Sequence, residues 1–129
     1  MYLYYAIFTP ETDGGYSIEF PDLEGAFSCG NDMHDSLYMA KDLLEGWLIV
    51  AEDEGDNIPQ PSSPSEISIQ PNELLIPIEV NLSLARQKHE NTLIKKTLTI
   101  PEYLNVLAMD NGINFSQTLT EALREKLGV

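Results

Sequence analysis

Leu93-Ile94-Lys95-Lys96-Thr97-Leu98-Thr99-Ile100-Pro101-Glu102-Tyr103-Leu104 is the stretch that decides how this chain is organised. Ile94, Lys96, Leu98 and Ile100 share one parity and Lys95, Thr97 and Thr99 the other, which is the alternation of a strand with one apolar face. Pro101 then presets the first turn of a helix whose apolar face is Leu104, Leu107 and Ala108. Asn111-Gly112 breaks that helix. Asn114, with Gln117 three residues on, makes a capping box for a second helix with Phe115, Leu119, Ala122, Leu123 and Leu127 on its apolar face. Residues 93–129 therefore read strand, helix, helix. A lone strand cannot pair its own backbone groups, and so short a segment cannot bury this much apolar surface. It is expected to dimerise by pairing its strand with the same strand of a second chain.

Upstream the pattern changes. Residues 2–8 are aromatic and β-branched, and Asp13-Gly14-Gly15 turns them into Tyr16-Ser17-Ile18-Glu19-Phe20, which alternates with period two. Pro21 ends that strand, and Gly25 and Gly30 bracket a short third one, Ala26–Cys29. Asn31 or Asp32 offers an N-cap to a helix over 33–54, with Met33, Leu37, Ala40, Leu44, Trp47, Leu48 and Ala51 as its stripe and Gly55 as its stop. Four prolines between 59 and 71 read as a surface loop. Leu74, Ile76, Ile78, Val80 and Leu82 then share one face of a strand, and Pro77 on the other parity favours the edge of the sheet. The expected fold is α+β: a β-β-β-α-β domain over 1–82, a short helix or flexible linker over 83–92, and the dimeric tail over 93–129.

Charge separates the two ends. The chain has 129 residues and a net charge of −14. Residues 1–80 hold sixteen acids and one base, Lys41, whereas 81–129 hold five acids and six bases. The acidic portion repels phosphate backbones and attracts basic partners, while the tail is free to approach DNA. The apolar fraction is 43% and the mean hydropathy −0.17, and no apolar run reaches the roughly 20 residues needed to span a bilayer. With no basic leader or cleavage site at Met1–Pro10, a cytoplasmic protein without membrane association is expected.

Two antiparallel copies of the tail strand would form a ribbon that fits the DNA major groove, with Lys95, Thr97 and Thr99 outward to reach base edges. Lys96 sits beside them on the strand. Exposed amides at Asn114, Phe115 and Ser116, where the second helix begins, would hold a backbone phosphate and fix the register. Catalytic groups are not apparent. Ser28 and Cys29 lie near no base, His34 suits a capping or surface position, His89 falls in a polar segment, and no nucleophile–base pair is visible. One cysteine and two histidines give no zinc ligand set, so neither metal nor cofactor is expected.

With these elements in place, Asp13-Gly14-Gly15-Tyr16-Ser17-Ile18-Glu19-Phe20-Pro21-Asp22-Leu23-Glu24-Gly25 resembles the signature of HicB antitoxins. Lys95–Leu104 together with Gly112–Gln117 resembles the ribbon-helix-helix tail of members of the same family. The resemblance covers nearly the whole chain. It implies a partial RNase-H-like N-terminal domain that binds and inhibits HicA, a small basic mRNA-cleaving toxin. It also implies a tail that represses the shared operon by binding operator DNA as a homodimer or higher homo-oligomer. Asp22, Glu24 and Phe27 are the expected toxin contacts. An RNase-H-like nuclease needs converging carboxylates for Mg²⁺, but residues 2–8 hold no acid and Glu19 stands alone on its strand, so the expected protein is not an enzyme. The alternative is a stand-alone ribbon-helix-helix regulator whose acidic domain senses a ligand or another protein.

Overall fold

The computed structural model describes residues 1–90 and 93–129, which divide into a unit spanning Met1–Thr92 and a second spanning Leu93–Val129. In the first unit, β1 (Tyr2–Pro10), β2 (Tyr16–Glu19), β3 (Phe27–Gly30) and β4 (Leu74–Val80) form one sheet of order β3-β2-β1-β4. Every pairing is antiparallel. The β1–β2 hairpin closes at Pro10↔Tyr16. Gly14 takes φ +91° there, and a Cβ on Gly15 would lie 2.5 Å from the Gly30 carbonyl oxygen, so both positions require glycine. Tyr5 faces Pro77 in register, and β4 is an edge strand, where a residue without an N–H is tolerated.

One face of the sheet carries Tyr4, Ala6, Phe8, Ile18, Phe20, Ile78 and Val80, all buried. Against them packs α1 (Met33–Asp53), which begins where the Asp32 side chain accepts the Asp35 amide at 2.8 Å. The helix lies slightly rotated from its expected stripe. Leu37 is 40% exposed, and Ser36, Ala40, Leu44, Leu48 and Ala51 face inward. The cause is a close approach: a Cβ on Gly30 would fall within 2.6 Å of Ser36 atoms, so β3 and the first turn of α1 touch backbone to backbone, with a small residue between them. Burying Leu44 and Leu48 completely contributes about 1.5–3 kcal/mol each.

The proline-rich connection after α1 is held down at several points. The Tyr4 hydroxyl donates to the Pro59 carbonyl. Asp22 accepts both the amide and the hydroxyl of Ser62 at 2.7 Å. A 3-10 turn at Pro64–Glu66 is closed by a reciprocal Ser63–Glu66 box. The strand expected to run to Leu82 stops at Val80, because the Asn81 side chain accepts the Leu84 amide and starts α2 (Leu82–Glu90). This helix buries Leu82 and Ala85, and Arg86 pairs with Glu52 at 3.0 Å and Asp53 at 2.8 Å. Residues 82–90 are thus packed on α1. Of the expected linker or helix, residues 91 and 92 lie outside the described residues.

The second unit has α3 (Glu102–Asp110) and α4 (Phe115–Leu127). Pro101 precedes α3, and Asn111 and Gly112 (φ +65°) end it. Asn114 caps α4 by accepting the Gln117 amide at 3.0 Å. The expected capping box forms in only one direction, since the Gln117 side chain donates to Glu121 instead. Residues 93–100 form no ladder in the single chain, because this unit holds no second strand to pair with them. The expected strand is thus not formed in the single chain.

Candidate functional site

In the second unit the two parities of residues 95–100 have different surroundings. Lys96, Leu98 and Ile100 line a groove of about 510 Å³ whose other walls are Asn105, Phe115, Ser116, Thr118, Leu119 and Ala122. Lys95, Thr97 and Thr99 are absent from this lining and exposed. The even-numbered face thus lies toward the helices and the odd-numbered face away from them. Nothing in this unit is fully buried. Leu98 is 53% exposed, Ile100 50%, Phe115 43% and Leu119 37%, so the apolar side of the groove remains open to water.

At the start of α4 the Asn114 side chain engages the Gln117 amide, while the amides of Phe115 and Ser116, in the helix's first turn, have no carbonyl to bond within it. The Phe115 ring lines the groove, which leaves only its backbone amide for the expected phosphate contact. Four acids and four bases fall within Leu93–Val129, against seventeen acids and three bases within Met1–Thr92. The whole surplus of −14 therefore belongs to the first unit.

On the first unit, Glu24 and the 65%-exposed Phe27 lie at or beside β3, an edge strand whose outer backbone groups have no strand partner. Asp22, expected to act with them, is half-buried and already engaged. Both its carboxylate oxygens hold Ser62, so it ties the proline-rich connection to the β2–β3 turn. Trp47 supports the same turn by donating its indole N–H to the Glu24 carbonyl at 3.0 Å. No sequence pattern marks Trp47 as more than a core residue. Burial, with the nearby Tyr2 and Asp22 charges, pushes the Tyr4 hydroxyl above its usual pKa. Hydrogen bonds from Ser63 hold the Glu66 carboxyl below its own.

The expectation that the chain holds no metal-ligand set counted only cysteine and histidine. Folding brings Asp42 and Glu45 of α1 beside His89 of α2, and one ligand atom of each lies within 4.8 Å of the others. This group is on the helices and away from the sheet, where an RNase-H-like metal centre would need its carboxylates. No helix among the described residues is long and apolar enough to cross a membrane.

The chain is thus a small protein of two modules, an acidic α+β unit with an open sheet edge and a helical unit with an uncovered apolar face. The family model described as HicB_like antitoxin of bacterial toxin-antitoxin system matches residues 4–123. No curated protein sequence matches the chain. Among solved structures, a toxin–antitoxin complex from Streptococcus pneumoniae is 27% identical, with 97% of this chain and 98% of that one covered at a TM-score of 0.59. The antitoxin HicB of Burkholderia pseudomallei is 17% identical over 99% and 98%, with a TM-score of 0.56. A HicA3 and HicB3 toxin–antitoxin complex is 22% identical over 62% of this chain and 99% of that one, with a TM-score of 0.52. The last two show likeness of fold. The chain belongs to the HicB-like antitoxins of bacterial toxin–antitoxin systems.

Proposed function

We propose that this antitoxin neutralises a small basic HicA-like mRNA-cleaving toxin with its first unit and represses its own operon with its second. The observation that carries the reading is the division of surfaces between the units. All the excess negative charge lies on Met1–Thr92, and the apolar faces left open on Leu93–Val129 lie opposite a row of Lys95, Thr97 and Thr99. A protein that grips RNA must present a basic surface, and an acidic partner meets it with long-range attraction that speeds the encounter and favours the correct partner.

Glu24 and Phe27 at the β3 edge are the toxin contacts in this reading, and Asp22 supports them from within through Ser62. In the tail, the open apolar groove closes when two copies pair their 94–100 segments and bury Leu98 and Ile100. The resulting ribbon-helix-helix dimer turns Lys95, Thr97 and Thr99 toward the major groove, with the Phe115 and Ser116 amides on a phosphate. The protein acts by binding, with no catalysis of its own, inside the cytoplasm where the toxin meets mRNA.

The test is co-expression of the full chain with the small basic protein encoded beside it, together with a reporter under the shared promoter. Restored growth and a silenced reporter are expected. A variant with Lys95, Thr97 and Thr99 all changed to alanine should restore growth and release the reporter. Loss of both effects together would refute the division of labour.

A further inference from the structure

We infer that Asp42, Glu45 and His89 form a binding site for a divalent transition-metal ion of the zinc class, which clasps α2 to α1. Asp42 and Glu45 are three residues apart on α1 and so lie on one side of that helix. His89 comes from the last turn of α2, and its Nε2 is 3.8 Å from Glu45 Oε2. One ligand atom from each of the three lies within 4.8 Å of the other two.

Glu45 gives the independent indication. It is 4% exposed, and among the described residues its carboxylate receives no hydrogen bond. Its one ion-pair contact among the described residues is with His89, at a distance too long for a hydrogen bond. The Glu45 side chain keeps only 6% exposure, and a carboxylate so largely withdrawn from water gains from a cation placed against it. His89 supplies at most one positive charge against the two carboxylates.

The donor set selects the ion. One imidazole with two carboxylates suits zinc and its first-row neighbours, whereas calcium and magnesium favour all-oxygen shells of six or more ligands. Tetrahedral zinc with bonds of about 2.1 Å holds its ligand atoms roughly 3.4 Å apart. His89 and Glu45 need to close by only a few tenths of an ångström to reach that spacing. Asp42 and His89 are both exposed. Water would take the fourth position.

The consequence is local order. Leu82, Ala85 and Arg86 anchor the first half of α2 to the body of the unit. An ion bound by His89 would anchor its last turn, immediately before the chain continues toward the second unit.

Zinc chloride alone, titrated into the chelator-stripped full-length chain by calorimetry and followed by thermal unfolding, tests the site. One zinc per chain is expected, with an unfolding midpoint raised by about 5 °C and returned by EDTA. Because His89 is about half exposed, His89→Ala should fold normally and bind zinc at least tenfold more weakly. Glu45→Gln should lose binding to a similar extent, while Cys29→Ser and His34→Ala should retain it. The inference is overturned if wild type shows no zinc binding, if His89→Ala binds as tightly as wild type, or if magnesium binds as well as zinc.

Discussion

Replacing Leu98 by alanine should weaken self-association of the full-length protein without unfolding its first unit. Leu98 is 53% exposed in the single chain, on the wall of the open groove. Burying a whole leucine side chain contributes about 1.5–3 kcal/mol, so the exposed half leaves about 1 kcal/mol to be gained on pairing. A symmetric dimer contains the residue twice, giving about 2 kcal/mol, or roughly a 30-fold rise in the dimer dissociation constant. Sedimentation equilibrium over a wide concentration range reads this directly. Thr99→Ala is the control: Thr99 lies on the other parity and should leave the dimer constant within about twofold while impairing operator binding. A wild-type chain that stays monomeric throughout would refute the reasoning. So would a Thr99→Ala variant that dissociates as readily as Leu98→Ala.

Lys95→Ala should weaken operator binding about tenfold or more, and gel shifts at several salt concentrations should show both that loss and a shallower salt dependence wherever the lysine contacts phosphate. Leu44→Ala, at a fully buried position beneath the sheet, should cost about 2–5 kcal/mol in urea unfolding followed by circular dichroism. Tyr4→Phe removes the donor to the Pro59 carbonyl and should cost about 1 kcal/mol near neutral pH. The Tyr4 pKa is raised above 10.0 by folding, so its protonated form is favoured in the native state. Stability should therefore hold below pH 10.0 and fall as the pH climbs from there to the folded pKa. Urea midpoints measured on both sides of pH 10.0 should show a smaller alkaline loss in Tyr4→Phe.

Legibility in the sequence followed the range of the forces involved. The three N-terminal strands, α1, β4 and both tail helices are written in local alternation, helical spacing and turn residues, and Pro77 announced the sheet edge. Leu37 was misplaced because the rotation of α1 is set by the Gly30–Ser36 approach, a contact between elements that no periodicity encodes. The tie between Asp22 and Ser62 was hidden because the two lie 40 residues apart, with Ser62 in a loop without pattern. His89 looked isolated for a similar reason, since the acids beside it belong to the preceding helix and meet it only after α2 folds back on α1. In the tail, the parity of Lys95 to Ile100 was clear from the residues alone, yet residues 93–100 form no strand in the single chain, which offers them no backbone partners.

Calorimetric titration of the full-length chain with the small basic protein encoded beside it, repeated at rising salt, tests the toxin-capping role most directly. Tight binding that weakens at least tenfold from low to high salt, and weakens further in Glu24→Lys, is the expected outcome. Absence of binding at every salt concentration would contradict the account.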